Sequence, residues 1–409
     1  METHISKFAM VRLSEYAEIK PGFAFKSDRF TDKSSDIPLV KGDNVQQGYI
    51  DWTKAKFWNS DDVDDYRDYL LEPGDIVVAM DRPWVNAGLK WAFIKAHDPK
   101  CLLVQRVARL RAKRGLSQDF LRYLVSSKYF ASYIEPIVTG VNVPHISGKQ
   151  IGDFRIPLPE IDIQEKVAAL LATYDDLIEN NKRRITLLEN MAEEIYREWF
   201  VRFRFPGWQE AEFEKGLPAG WSIKRLNDIL VLQYGKALKS EDRVEGTVPV
   251  YGSSGVVGFH NEALVERPGI IVGRKGNVGA IHWSDVAFYP IDTVYYVVSD
   301  LSKHFLYYLL HSVNFINNDA AVPGLNRKQA YSNEVLVPKS GLIEQFEELV
   351  KPLYDQKRSL IKMNDNLEKT KNQLLPRLIS GKLSVENLDI QFPPSMQSDE
   401  SDSADEAAA

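Results

Sequence analysis

The sequence predicts an α+β protein: two similar α/β domains separated by two long antiparallel coiled-coil helices, with a pseudo-two-fold internal repeat. Three observations carry this expectation. The chain matches itself over long stretches, a heptad-spaced apolar segment follows each matching half, and short β-branched runs alternate with helical patterns inside each half. The implied boundaries are 1–160 and 206–340 for the globular domains, 161–205 and 341–383 for the helices, and 384–409 for an acidic disordered tail.

The repeat comes first. Arg12, Leu13, Gly22, Ala24, Lys26 and Ser27 coincide with Arg225, Leu226, Gly235, Ala237, Lys239 and Ser240 at a constant offset of 213. IPLVKG from Ile37 resembles VPVYG from Val248, and EPGDIVV from Glu72 resembles RPGIIV from Arg267; the offset shrinks, so the first half carries longer loops. VPHISGKQI from Val143 then matches VPGLNRKQA from Val322 at offset 179, which Pro159 and Pro338 keep. Within the halves, Asp75 to Met80, Leu102 to Leu110, Gly269 to Gly273 and Thr293 to Ser299 read as strands. Gln118 to Ile134 and Ser302 to Asn317 read as helices at equivalent places.

Between Gln164 and Phe203 one apolar layer is Leu171, Ile178, Ile185, Ala192 and Trp199, and the other is Val167, Tyr174, Leu188 and Ile195. The second seam has Phe346, Leu353, Leu360, Leu367 and Leu374 at strict sevens, with Leu349 and Met363 expected in the companion layer. Asn181 and Gln356 are polar interruptions that either set register or are tolerated. Pro352 is expected near the start of the second helix, as a first-turn proline or a kink, and Pro376 to bend its last turn. Pro206, Gly207, Gly216, Pro218 and Gly220 mark the linker into the second half.

At 409 residues the chain is two or three ordinary domains long, with the 44% hydrophobic and 26% charged content of a soluble globular protein. No apolar run approaches the ~18 to 20 residues that cross a bilayer, and the first ten residues lack the apolar core of a secretory signal, so no membrane partner is expected. A single cysteine, Cys101, leaves no intramolecular disulfide or cysteine-based zinc site and points to the reducing cytoplasm. Lys and Arg number 51 against 57 Asp and Glu, a net charge of −6. Seven of those acids follow Lys382, leaving 51 against 50 in residues 1–382, so the acidity belongs to the tail. Lys100, Arg106, Arg109, Arg111, Lys113, Arg114, Arg122 and Lys128 crowd one stretch whose only acid is Asp119, which reads either as a basic patch for phosphate or as a solvated face.

The chemistry expected of an enzyme is missing from the sequence. There is no Asn or Asp, Pro, Pro, aromatic tetrad for a flipped base, no dinucleotide fingerprint and no phosphate-binding GxxxxGK[ST]. The seven histidines show no HExxH pattern, so no catalytic or metal residues are expected. What remains is polar, glycine-flanked loops repeated in both halves. GRKGNVGAIHW places Arg274, Lys275 and Asn277 between glycines, where a backbone can approach a groove edge while cationic and amide groups read bases. Its counterpart MDRPWVNAGLKW offers Arg82, Trp84, Asn86 and Lys90. Further candidates are Lys26 and Lys239, Asn142 with His145, Ser253 and Ser254, and Asn326 with Arg327 and Lys328. Singly, each loop also reads as a plain surface turn, and His145 as a hydrogen-bonded structural residue.

RLSEYAEIKPGFAFKS, LEPGDIVVAM, GIIVGRKGNVGAI, YDDLIENNKRRITLLENMAEEIYREWF, LPAGWSIKRLNDI and LLPRLISGKL together resemble the specificity subunit of type I restriction-modification systems, from about Val11 to Leu383. The resemblance implies two variable target-recognition domains alternating with two conserved helices. It implies a subunit without its own active site, in which each domain reads one half of a split, asymmetric double-stranded DNA site. Two methyltransferase subunits bind it and restriction, or translocase, subunits join for cleavage, so S-adenosylmethionine, ATP and magnesium belong to partners and the chain itself carries no cofactor. Pro352 and the acidic tail depart from the pattern. A catalytic DNA methyltransferase or nuclease and a DNA-free coiled-coil adaptor are the alternatives, which methyl-transfer assays and salt-dependent DNA binding separate.

Overall fold

The computed structural model describes residues 7–85, 88–138, 144–315 and 324–397, and the chain divides into two compact units, Met1–Glu179 with Asn364–Ala409 and Asn180–Met363. The first unit is built on a four-stranded antiparallel sheet in the order Ala17–Pro21, Val107–Ala112, Ile76–Ala79, Trp91–Phe93. All four residues of Ile76–Ala79 are buried, because the strand is covered on both faces and therefore reads as a continuous apolar run. Ile76 and Val78 pack with Phe120, Leu124, Val167 and Leu171, while Val77 and Ala79 pack with Val40, Leu71, Cys101 and Leu103. A second, mixed sheet orders Phe57–Trp58, Ile37–Val40, Cys101–Leu103 and Leu70–Leu71. The sequence expectation of one strand from Leu102 to Leu110 is thus corrected: Cys101–Leu103 and Val107–Ala112 belong to different sheets, and Arg106, with φ 69°, turns the chain between them.

The second unit repeats this design. Its main sheet orders Val231–Tyr234, Val294–Val298, Gly269–Gly273, Ile281–Ser284, and its smaller sheet Gly255–His260, Val248–Gly252, Tyr289–Pro290. Each unit also has an antiparallel ribbon in which an early strand pairs with its last one, Ala9–Arg12 with Arg155–Leu158 and Ser222–Arg225 with Glu334–Val337. The matched glycines explain part of the repeat. A Cβ on Gly22 would sit 2.3 Å from the Val104 carbonyl oxygen, and one on Gly235 would sit 2.1 Å from that of Ile291, so only hydrogen fits at either place.

The helix expected over Gln118 to Ile134 is two helices, Gln118–Ser126 and Lys128–Ile134, because Ser127 leaves the helical conformation to cap the second through Phe130 N. Its counterpart is Lys303–His311, shorter than expected and capped by Ser302. Gln118 Nε2 and Lys303 Nζ donate to the Gly74 and Pro268 carbonyls, both at 2.7 Å, so different groups make the same helix-to-turn joint.

The long helices are Ile161–Tyr196, followed by a π turn at Arg197–Val201, and Ser340–Ile379. The 36 residues of the first make roughly 54 Å of helix. Their pairing is antiparallel within each unit. In the first unit Ile178 O accepts from Asn364 at 3.3 Å and Asp175 from Lys371 at 2.5 Å; in the second Lys357 bridges Glu189 at 2.8 Å and the Tyr196 ring lies 6.1 Å from Phe346. The expected companion layer of the second seam is corrected: Leu349 and Met363 are 47% and 51% exposed and Gln356 is exposed too. The layer lies four residues beyond the leucine set instead of three, at Val350, Lys357, Asn364, Lys371 and Leu378. Three of those five are polar, which hid the layer from an apolar count, and each finds a partner on the first helix. Asn181 is buried in the seam as expected. Pro352 lies well inside the continuous helix rather than at its start, on an exposed position where water can reach the carbonyl its missing N–H would have engaged.

The disordered-tail expectation fails for residues 384–397. Val385 is 1% exposed in the core of the first unit, with Ile390 and Met396 packed against that core. Glu386 pairs with Lys7 at 2.6 Å, its carbonyl accepts from Lys166 at 2.9 Å, and Ser395 N donates to Asp176 at 3.2 Å. Apolar anchors spaced five and six apart follow neither a helical nor a strand period, so pattern reading misses them. Residues 398–409 lie outside the described residues. Ending the chain at Leu383 is expected to destabilise the first unit, since burial of one such valine contributes ~1.5–3 kcal/mol. Thermal unfolding checks this: Val385→Asp and the truncation should both lower the melting temperature, and an unchanged one refutes the packing.

Candidate nucleic-acid interface

Equivalent backbone hydrogen bonds build one corner in each unit. Where strand Ile76–Ala79 ends, Met80 N donates to Arg106 O and Met80 O accepts from Ile146 N, both at 2.8 Å. Where Gly269–Gly273 ends, Arg274 N donates to Thr293 O at 2.9 Å and Arg274 O accepts from Leu325 N at 2.8 Å. The next residues form the isolated bridges Asp81 to His145 and Lys275 to Gly324. A short capped helix follows in both: Ser147 forms a capping box with Gln150 on Gly148–Gly152, and Asn326 Oδ1 accepts from Lys328 N at 2.9 Å on Arg327–Tyr331. Loops that the sequence proposed separately therefore meet. Met80 is the structural counterpart of Arg274 and Asp81 of Lys275, so identical backbone presents different chemistry.

In the second unit the corner borders an open concavity of about 670 Å³ lined by Tyr234, Arg274, Lys275, Tyr295, Asn326 and Arg327, among others. Arg274 is tethered: Nη1 donates to Asp292 O at 2.8 Å, and its guanidinium lies 5.0 and 5.8 Å from the Tyr234 and Tyr295 rings. Arg327 stacks on Tyr234 from 5.0 Å. Burial pushes the Tyr295 hydroxyl up to about 12, so it stays protonated and donates to Leu325 O at 2.9 Å. Lys275 is exposed, 3.8 Å from the Asp292 carboxylate. Asn277 is exposed, with its backbone N–H on Ser253 Oγ at 3.3 Å. Ser253 is buried, its carbonyl 2.9 Å from His282 Nε2, which makes it a structural support for the loop; Ser254, Lys239 and Lys328 are exposed.

In the first unit a concavity of about 590 Å³ is lined by Phe25, Phe30, Lys41, Arg82, Lys90 and Arg106, among others. Arg82 is exposed with φ 43°, its N–H on Pro144 O at 2.7 Å. Lys90 is buried and donates to Gly42 O at 2.7 Å, and burial pulls its ammonium below the usual lysine range. The Trp84 ring packs on the core, and Lys26 stands exposed beside Ser27. The Asp81 carboxylate takes Arg106 and lies 2.5 Å from His145 Nδ1. Burial alone would raise its pKa, but these two partners hold it below the usual carboxylate value. Asn86 and Asn142 lie outside the described residues.

The basic stretch around Arg109 is largely consumed by internal pairs. Arg109 is buried against Glu18 at 2.9 Å, Arg111 holds Asp75 and Glu72, Arg122 reaches Asp175 at 3.2 Å, and Lys113 caps Ser14 O at 3.0 Å. Strand alternation would have placed these arginines outward, but their carboxylate partners come from segments distant in sequence. Arg106, named in the basic stretch, lines the first concavity, while Tyr234 and Lys41 were missed as lining residues; for Tyr234 the available signal was its position directly before the repeated Gly235.

Residues 5–190 and 218–340 match the family described as type I restriction modification DNA specificity domain. The chain belongs to this family. It is 28% identical over 309 residues to the type I restriction enzyme MjaIX specificity subunit of Methanocaldococcus jannaschii, covering 68% of this chain and 71% of that one. It is 31% identical over 187 residues to the MjaVIII specificity subunit of the same organism, covering 46% and 44%. A crystal structure of a type I restriction-modification S subunit from M. genitalium shares the fold, with a TM-score of 0.55 and 18% identity over 93% of this chain and 98% of that one.

In this specificity-domain chain each matched segment contains one whole corner. Among the described residues no group of three or more His, Cys, Asp or Glu is placed to hold a metal, and no helix is long and apolar enough to cross a membrane. Burial pushes the Cys101 thiol up to about 12, which makes it an inert core residue. Asp81, whose folded-state pKa is depressed, contributes stability above the ordinary value of 3.8 that is lost as pH falls through its folded value. Asp81→Asn should therefore lower stability in denaturant titrations at pH 7, with a deficit that shrinks as the pH is taken below 3.8; a deficit that does not change with pH contradicts the pairing.

Proposed function

We propose that the chain is the DNA-sequence specificity subunit of a type I restriction-modification complex, in which each unit reads one half of a bipartite, asymmetric double-stranded site. The observation that carries this reading is the corner built twice on the same backbone and lined with different side chains. A duplicated scaffold with unlike linings suits two unlike half-sites, and cationic, amide and aromatic groups in open concavities suit groove edges and phosphates. The chain acts as a non-catalytic component, working in the cytoplasm where cellular DNA is. Two methyltransferase subunits dock on the long helices, restriction subunits join for cleavage, and S-adenosylmethionine, ATP and magnesium sit on those partners.

Mapping methylated adenines in cells carrying the assembled system is expected to return a split motif with a fixed gap. A continuous motif, or methyl transfer by the purified chain alone, refutes the reading. Substituting Lys275 by Ala should alter or weaken one half-site only.

The helices are proposed to set the gap between half-sites. Because they pair antiparallel, an insertion must be matched in both, following Glu179 and Met363. Four residues in each add ~6 Å and about one helical turn, nearly keeping the seam in phase. At ~3.4 Å per base pair the gap should lengthen by about one or two base pairs with both half-sites unchanged. Two residues in each rotate the seam by roughly 200° and should abolish assembly. An active four-residue variant with its original gap counts against the helices as spacers.

A further inference from the structure

The second unit's corner holds two guanidiniums at the same distance from one ring, yet in different mechanical states. The Arg274 guanidinium is held by Nη1 donating to Asp292 O at 2.8 Å and by the Tyr234 and Tyr295 rings at 5.0 and 5.8 Å. A side chain so committed has little freedom left to reach a base edge. Arg327 makes no ion pair among the described residues; the contact that orients its guanidinium is the Tyr234 ring, 5.0 Å away. Tyr234 is 46% exposed at the end of strand Val231–Tyr234 and is itself braced by the Tyr295 ring at 5.0 Å. Tyr295 in turn is fully buried and bonded to Leu325 O. The result is a rigid chain of contacts from the core through Tyr295 and Tyr234 to a guanidinium at the rim.

We infer that Tyr234 is a positioning residue that presents the Arg327 guanidinium for sequence reading, with Arg274 serving as the clamp beneath rather than the reader. This rests on the DNA-specificity reading above. A planar guanidinium held over a ring loses less rotamer freedom on binding than a free one, and a preset plane favours the bidentate geometry that distinguishes guanine from other bases. The first unit has Pro21 and Gly148 at the equivalent positions, so the device belongs to one half-site only.

The test uses the complex assembled with its methyltransferase subunits and duplexes altered singly at each position of the second half-site. Arg327→Ala should weaken discrimination at one position. Tyr234→Leu should reproduce that loss in part, roughly two- to thirty-fold for a cation–ring contact, while Tyr234→Phe keeps the ring and behaves as the parent. Arg327→Lys keeps the charge without the plane and should lose discrimination like Tyr234→Leu, an independent route should the leucine variant fold poorly. In the Arg327→Ala background, Tyr234→Leu should cost nothing further, because Tyr234 acts through Arg327. Full additivity of the two changes, or a loss in Arg327→Ala without one in Tyr234→Leu, overturns the inference while leaving the function standing. So does a loss in Arg327→Ala that is uniform over all duplexes, the mark of a phosphate contact. A parent complex that shows no sequence preference overturns the specificity reading itself.

Discussion

Both units depend on the same constraint: each buries the helix-side face of its main sheet partly against the pair of long helices. In the first unit Val167, Leu171, Leu375 and Leu378 complete the core that Ile76 and Val78 begin, and in the second Ala192, Tyr196, Phe346, Val350 and Tyr354 do the same for Ile270 and Val272. Neither sheet could cover that face with its own short helices, which supply only a few turns each. Each unit's stretch of the seam is therefore part of that unit's core. Its polar members fit this requirement. Lys357, Asn364 and Lys371 each bond to a group on the other helix, Glu189, the Ile178 carbonyl and Asp175, so a shift along the seam would break all three contacts, and at the buried Asn364 a polar group left without a partner costs ~1–3 kcal/mol.

What was legible in the sequence follows from which signals are periodic. The repeat, both long helices, the buried strand Ile76–Ala79 and the fold class rest on apolar period and on glycines such as Gly22 and Gly235, where close backbone approach permits no side chain. The companion seam layer was misplaced because Lys357, Asn364 and Lys371 occupy it, and an apolar count is blind to paired polar groups. The segment 384–397 was misread because its anchors follow no period and its acids resemble those beyond it. The turn at Arg106 was hidden since β-branched residues continue on both sides while a single left-handed residue changes sheet.

For the candidate site, the loops were legible and the roles within them were not. Sequence grouped Arg274 with Lys275 as equals, but carbonyl and ring contacts fix the first and leave the second near solvent. Lys90 and Trp84 sit in the correct loop and face inward. The ion pairs that absorb Arg109, Arg111 and Arg122 join residues 36 to 91 positions apart, a separation no local pattern encodes. Charge counted along a chain thus overstates the charge a surface offers to phosphates.

The corners show how a side-chain lining can vary while the fold stays fixed. Their frame is made by main-chain groups, at Met80 and Ile146 in one unit and Arg274 and Leu325 in the other, and by glycines whose lack of a side chain brings strands together. None of those bonds depends on which side chain projects from the frame. Position by position, Asp81 stands where Lys275 stands, His145 where Gly324 stands, and Ala108 where Tyr295 stands. In the first unit a carboxylate gathers Arg106 and His145 about itself; in the second, cations gather about tyrosine rings. Reversal of charge at matched positions is tolerable only because the neighbours that satisfy each charge sit on the same loops and change with it. Separating a backbone frame from a side-chain lining lets one chain carry two unlike linings on one repeated design.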